Sequence, residues 1–178
     1  LASSAASDVY KRQMMEGYEA DDLLGTAAKK SEEAGVDAVI VSGDRDLLQL
    51  ATEKIMIRMP KTKRGVTEIE NYHAQDVKDA YQVTPSQIIE LKALMGDASD
   101  NIPGVPGIGE KTATNLIAAY GTIENAYAHV EEIKPNRAKE ALKNHYDMAK
   151  MSKELATICL EAPLTLSFED ARLTNLYT

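Results

Sequence analysis

A short run of almost uninterrupted β-branched and apolar residues, "VDAVIVS" at 36–42, stands between two stretches of good helix formers. Such a run marks a strand buried in a parallel sheet, where helices cover both faces. Upstream, "EADDLLGTAAKKSEEA" (19–34) predicts a helix with acids in its first turn and Gly35 as its stop. Downstream, "DLLQLA" (46–51) predicts a helix and "KIMIRM" (54–59) the next strand, with "PKTKRG" (60–65) turning the chain into "VTEIE". This β/α alternation indicates an α/β sheet with helices on its faces.

After Tyr72 the patterns are helical only. "HAQDVKDAYQV" gives one helix, and Thr84 and Pro85 supply an N-cap and a first-position proline for "SQIIELKALMG". "EKTATNLIAAYG" stops at Gly121, further helices are expected at about 122–130 and 135–158, and "APLTLSF" reads as a short extended tail. The first residues, "LASSAASDVYKRQ", show neither period nor the layout of a signal peptide, so 1–15 is expected to be a foreign or disordered segment. The 178 residues suffice for one domain, or one with a small satellite. The single cysteine, Cys159, excludes an internal disulfide and suits a cytoplasmic location. No apolar run approaches the roughly 20 residues of a bilayer span, so no membrane partner is expected.

Seven carboxylates stand at three loop-to-helix junctions: Glu19, Asp21 and Asp22; Asp44 and Asp46 in "SGDRDLLQL"; and Asp97 and Asp100 in "GDASDN". Each group alone has an ordinary explanation. Acids in a first helical turn gain roughly 0.3–1 kcal/mol from the macrodipole, an aspartate after a strand caps the next helix, and aspartates favour turns. Together, with no His or Cys among them, they make a ligand set for a hard cation, Mg²⁺ or Mn²⁺, rather than zinc. The net charge of −8 speaks at first sight against a nucleic-acid partner, but without these seven acids the chain carries only −1, and bound cations invert the local field. A calcium EF-hand loop is excluded, because Leu48 and Gln49 fill its fifth and sixth positions.

The stretch "IPGVPGIGEKTATNL" (102–116) is neither a Walker A loop, since Glu110 separates Gly109 from Lys111, nor a dinucleotide fingerprint, since Thr112 stands where the last glycine should be. What remains is two helices joined by a tight turn. Gly104, Gly107 and Gly109 let the backbone approach an anion, and the second helix offers its first N–H groups with Lys111 and Thr112. That arrangement holds a nucleic-acid backbone without reading bases; a plain helical turn is the alternative. Lys61, Lys63 and Arg64 read as a solvated hairpin tip, and Tyr72, Tyr81 and Tyr120 as packing residues.

"EGYEADDLLGTAAKK", "VSGDRDLLQL", "ELKALMGDASDNIPGVPGIGEKTA" and "SKELATI", in this order, closely resemble the 5′-nuclease (5′-3′ exonuclease) domain of bacterial DNA polymerase I over about Glu16 to Leu173. That family is similar to the flap endonucleases and, distantly, to PIN-type nucleases. The resemblance implies a PIN-like α/β parallel sheet with helices over 16–72, followed by an all-helical subdomain with a helix-hairpin-helix over 73–178. It implies a divalent-metal-dependent 5′-3′ exodeoxyribonuclease and structure-specific endonuclease acting on 5′ ends, flaps and nicked duplex in primer removal, nick translation and repair. A polymerase domain in the full-length chain would be its partner. Carried over by position, Glu19, Asp21, Asp22, Asp44 and Asp46 look like metal ligands, and Asp97 and Asp100 match the acids of the second-metal side. All seven would then be catalytic through two cations roughly 3.5–4 Å apart, with no side-chain nucleophile. Residues 102–116 look like the hairpin that grips duplex backbone, with K⁺ on its carbonyls. The family's opening acidic strand, its second acidic strand end and its basic arch find no match, and Asp8 is not assigned. The expectation is therefore the carboxyl-terminal part of a nuclease domain, cutting slowly by itself. A non-catalytic duplex-binding module and an RNA-cutting PIN-like enzyme are the other readings.

Overall fold

A computed structural model describes residues 15–63 and 65–171, apart from the side chain of Lys63. The readings placed on residues 1–14, Asp8 among them, and on the charges of Lys63 and Arg64 lie outside the described residues.

Helix α1 (Ala20–Glu33) starts where expected, because Glu19 and Asp22 form a reciprocal capping box over its first turn. Its inner face buries Leu23, Gly25, Thr26, Ala28 and Ser31. Strands β1 (Ala38–Val41), β2 (Ile55–Lys63) and β3 (Val66–Tyr72) form a sheet in the order β1-β2-β3. The β1/β2 pair is parallel, from Ala38↔Ile55 to Val41↔Arg58, whereas β2/β3 is an antiparallel hairpin from Ile57↔Tyr72 to Lys63↔Val66. The sheet is thus mixed, with one parallel pairing.

Most of "PKTKRG" proves to be strand, not turn. The Lys61 ammonium joins Glu70 and the Tyr72 hydroxyl across the hairpin, which holds β2 and β3 together to the tip. Pro60 is tolerated because it lies beyond the end of β1, where β2 has one neighbour only. Strand β1 also differs from a strand covered on both faces. Ile40 is 4% exposed, but Val39 and Val41 are 51% and 64% exposed. Among the described residues, one face of β1 packs on the core and the other is open.

"DLLQLA" forms a 3-10 helix, Arg45–Leu50, in place of an α-helix. Its length explains this: Thr52 stops it by accepting the N–H groups of Lys54 and Ile55 on its hydroxyl, and a piece this short can be wound tightly enough to bury Leu47, Leu48 and Leu50.

The helical part comprises α2 (Ala74–Tyr81), α3 (Ile88–Met95, after a 3-10 turn at Pro85–Gln87), α4 (Glu110–Tyr120), α5 (Ile123–Ala128), α6 (Asn136–Asn144) and α7 (Tyr146–Ala156). The helix expected over 135–158 is two helices, broken at His145, where two poor helix formers, Asn144 and His145, meet. The segment "APLTLSF" makes no strand pairing; it is tied to α1 by the Ala162 N–H on Thr26 Oγ1 (3.1 Å) and by the Lys30 ammonium on the Leu164 carbonyl. Tyr72 is buried, and Tyr81 and Tyr120 pack against one continuous core that runs from Ile40 and Ile57 to Leu142 and Ala149. Helix α3 is at its centre. It buries Leu91, Ala93 and Leu94, and it also buries Glu90 and Lys92. Glu90 accepts the Ile123 N–H (2.9 Å) and pairs with Lys153 of α7 (2.6 Å), which ties three helices together. Among the described residues no helix is long and apolar enough to cross a membrane.

Candidate metal centre

At the start of α1, the Asp22 carboxylate accepts the Glu19 N–H (3.0 Å) on one oxygen and the Cys159 N–H (2.8 Å) on the other. It therefore fastens the segment after α7 to α1. Asp44, between β1 and the 3-10 helix, accepts the Asp46 N–H (2.9 Å). Part of the acidity thus serves the backbone, as capping predicts. Among the described residues Asp21 has no such partner, and it lines a cavity. Its burial, and then the carboxylates of Asp44, Asp46, Glu19 and Asp22, push its pKa up.

The third group is shaped by a closed turn. Asp97 and Ile102 exchange two backbone hydrogen bonds of 2.8 Å, and Asp97 Oδ1 takes the Ser99 N–H (2.9 Å) and its hydroxyl. Asp100 is thereby turned back toward the 3-10 helix. The acid oxygens of Asp46, Asp97 and Asp100 lie within 4.8 Å of one another, close enough to share one ion.

Lys92 occupies the middle of this triad. Its ammonium contacts Asp46, Asp97 (2.7 Å) and Asp100 (3.3 Å), and its side chain is 6% exposed. Sequence reasoning missed this residue. The signal was a lone lysine inside the apolar turn "LKALM", five positions before Asp97. Burial works against the ammonium, but the hydrogen bonds it donates to Asp46 and Asp97 prevail and raise its pKa. For Asp46 burial prevails over Lys92, and its carboxyl is raised. The Asp97 carboxyl is held down at about 2, below the ordinary 3.8, by Lys92 and Ser99. Its contribution to stability is present above pH 3.8 and is lost as pH falls toward about 2.

Six of the seven acids, Glu19, Asp21, Asp22, Asp44, Asp46 and Asp100, line one cavity of about 570 Å³, and residues 154–159 also line it. Asp97 joins them through the shared triad. Three segments far apart in the chain thus bring all seven carboxylates together. Asp46, a neighbour of Asp44 in sequence, groups in space with Asp97 and Asp100. An all-carboxylate donor set with partly exposed members suits a hard divalent cation, and Lys92 supplies part of the compensating charge.

The glycine turn follows the Asp97–Ile102 turn and leads into α4. Gly104 is buried: at φ +62° it lies so close to Gly96 that a β-carbon would stand 2.3 Å from the Gly96 nitrogen, and its N–H donates to Ser152 Oγ (3.0 Å). Gly107 (φ +90°) and Gly109 are exposed, Lys111 is exposed in the first turn of α4, and Thr112 beside it is half-buried. Val105 and Ile108 anchor the turn in the core.

Two family descriptions match the chain. "5'-3' exonuclease, N-terminal resolvase-like domain" covers residues 6–82, and "5'-3' exonuclease, C-terminal SAM fold" covers 83–178. Their seam falls just after α2. DNA polymerase I of Bacillus caldotenax is 51% identical over 156 residues, which is 88% of this chain and 18% of that protein. DNA polymerase I of Bacillus subtilis is 47% identical over 162 residues, 90% of this chain and again 18% of the relative. Among solved structures, T5 5′-exonuclease with bound zinc matches at a TM-score of 0.74 and 26% identity, over 86% of this chain and 55% of that one. The bacteriophage T5 flap endonuclease, in a pseudo-enzyme-product complex with DNA and metal ions, matches at 0.71 and 25%, over 88% of this chain and 55% of that one. The chain therefore spans about a fifth of the polymerase relatives and a little over half of the T5 enzymes.

Proposed function

Because this chain belongs to the 5′-3′ exonuclease family, we propose that it serves metal-dependent hydrolysis of DNA phosphodiesters at 5′ ends, flaps and nicks. The convergence of seven acids from three separated segments on one cavity carries this reading. Mg²⁺ or Mn²⁺ is the cation this oxygen donor set suits, and such ions supply an acidified water and neutralise charge at the bond that breaks.

The chain's own residues have separable tasks. Asp46, Asp97 and Asp100 offer oxygens for one ion, with Lys92 keeping them assembled. Glu19, Asp22 and Asp44, fixed by their backbone hydrogen bonds, present the lone pairs those bonds leave unused, with Asp21, to the same cavity. Residues 16–72 then form the greater part of the metal-binding unit and 73–178 the duplex-binding unit, with Asp97 and Asp100 contributed across that division. The exposed turn at Gly107 and Gly109, with Lys111 and Thr112, would hold the sugar-phosphate backbone independently of sequence, K⁺ being a candidate ion for its carbonyls. A polymerase region of the same polypeptide is the partner we propose, filling what the nuclease removes.

Two substitutions test the division of labour. Asp44→Asn is expected to raise the Mn²⁺ concentration needed for half-maximal thermal stabilisation by about tenfold, a typical cost of disturbing a metal site, while leaving affinity for a nicked duplex unchanged. Lys111→Ala is expected to weaken duplex binding and lower the slope of log affinity against log salt by about 1, with metal binding intact. Equal damage to both functions from either change would overturn the assignment.

A further inference from the structure

The surface from α4 to α7 is not uniformly basic, and what distinguishes its cations is whether a carboxylate already neutralises them. Lys139 and Lys143 sit on Glu131 (3.0 and 2.6 Å), Lys150 on Asp147 (2.8 Å), and Lys153 on Glu90 and Glu124 (2.6 and 2.9 Å). Among the described residues in this stretch, Lys111, Lys134 and Arg137 alone have no carboxylate within ion-pair distance.

These three gather around the glycine turn. The Arg137 guanidinium lies beside Gly107, with Nε 3.6 Å and Nη2 3.8 Å from where a Gly107 β-carbon would stand. Lys134 lines a small cleft of about 180 Å³ between α4 and the segment Ile133–Pro135, together with the polar side chains of Thr112 and Asn115. Arg137 thus packs against the backbone at the tip of the hairpin, where the left-handed φ of +90° favours glycine. The cleft thus brings Thr112, Asn115 and Lys134 to one place, beside the first turn of α4 that carries Lys111.

We propose that the nucleic-acid grip extends from the hairpin onto the start of α6, where Arg137, Lys134, Thr112 and Asn115 hold a second phosphate of the strand that passes Lys111. This rests on the duplex-binding reading of the hairpin. Unpaired exposed cations contribute to backbone binding because they release counterions from the nucleic acid, whereas cations already on a carboxylate release fewer.

The experiment is a salt titration of affinity for a nicked DNA duplex, read by fluorescence anisotropy without divalent metal. Arg137→Gln and Lys134→Gln should each weaken binding by about three- to tenfold at 100 mM salt and lower the salt slope by about 1. Lys150→Gln, whose cation is already paired, should leave the slope unchanged. Melting curves with and without Mn²⁺ should match the unsubstituted chain, since Lys134 and Arg137 are exposed. If Lys111→Ala lowers the slope but Arg137→Gln and Lys134→Gln do not, the extension onto α6 is wrong and the hairpin reading stands. If none of the three changes the slope, the hairpin reading itself fails.

Discussion

Lys92→Met is expected to destabilise the chain by about 3 kcal/mol in metal-free buffer at neutral pH, the low end of the cost of breaking a buried ion pair, and Mg²⁺ is expected to bring the variant back toward the stability of the metal-free parent. The Lys92 side chain is 6% exposed and its ammonium meets three carboxylates, of which Asp100 is 47% exposed and therefore partly screened by water. Methionine keeps the volume but leaves Asp46, Asp97 and Asp100 to repel one another inside 4.8 Å. The penalty should shrink on acidification, because without the lysine Asp97 loses the main cause of its depressed pKa and protonates more readily. A divalent ion at one hundred times its dissociation constant would contribute about 2.7 kcal/mol by linkage. Urea unfolding of both proteins, with and without MgCl₂, measures all of this. Equal stability of the variant and the parent in metal-free buffer would mean that the triad does not depend on its lysine.

Gly104→Ala should cost about 3 kcal/mol or more, whereas Gly109→Ala should cost less than about 1 kcal/mol. A β-carbon at 104 would lie 2.3 Å from Gly96 N and 2.7 Å from both Gly96 Cα and the Met95 carbonyl carbon. All three atoms are backbone, so no flexible side chain can yield. The positive φ adds roughly 1–2 kcal/mol for any residue with a β-carbon, and overpacking typically adds 1–3 kcal/mol. At Gly109 the backbone is extended and nothing lies within 4 Å of the added carbon. Thermal unfolding of the two variants separates a glycine needed for packing from one available to a ligand. A harmless Gly104→Ala would show that α3 and the turn do not approach as closely as described.

The pattern of apolar runs made the α/β start and the helical continuation legible, since "VDAVIVS" and the amphipathic stretches carry their periods in a few residues. The grouping of acids was legible for the same reason: each junction is local. Which acid meets which was not. Asp46 stands two residues from Asp44, yet it pairs in space with Asp97 and Asp100, because the tight 3-10 winding after Asp44 turns it toward α3. Lys92 was hidden by its helix, where one lysine among apolar residues looks like a surface position until the turn at Asp97 closes over it. Gly104 looked like its neighbours Gly107 and Gly109 because conformational freedom is shared by all three, whereas close approach to Gly96 depends on the partner. The open face of β1 was equally unreadable: a β-branched run states what a strand prefers, not what lies against it.

The most direct measurement is the melting temperature of the chain as a function of Mn²⁺ and Mg²⁺, in parallel with the Asp46→Asn/Asp97→Asn double variant. If the acids form a divalent-metal centre, the parent should gain about 5–10 °C at saturating millimolar metal, the shift that roughly 2.7 kcal/mol of linkage gives a chain of this size. The double variant should gain little. A parent whose melting temperature does not move in millimolar metal, or a double variant that responds equally, would contradict the metal centre.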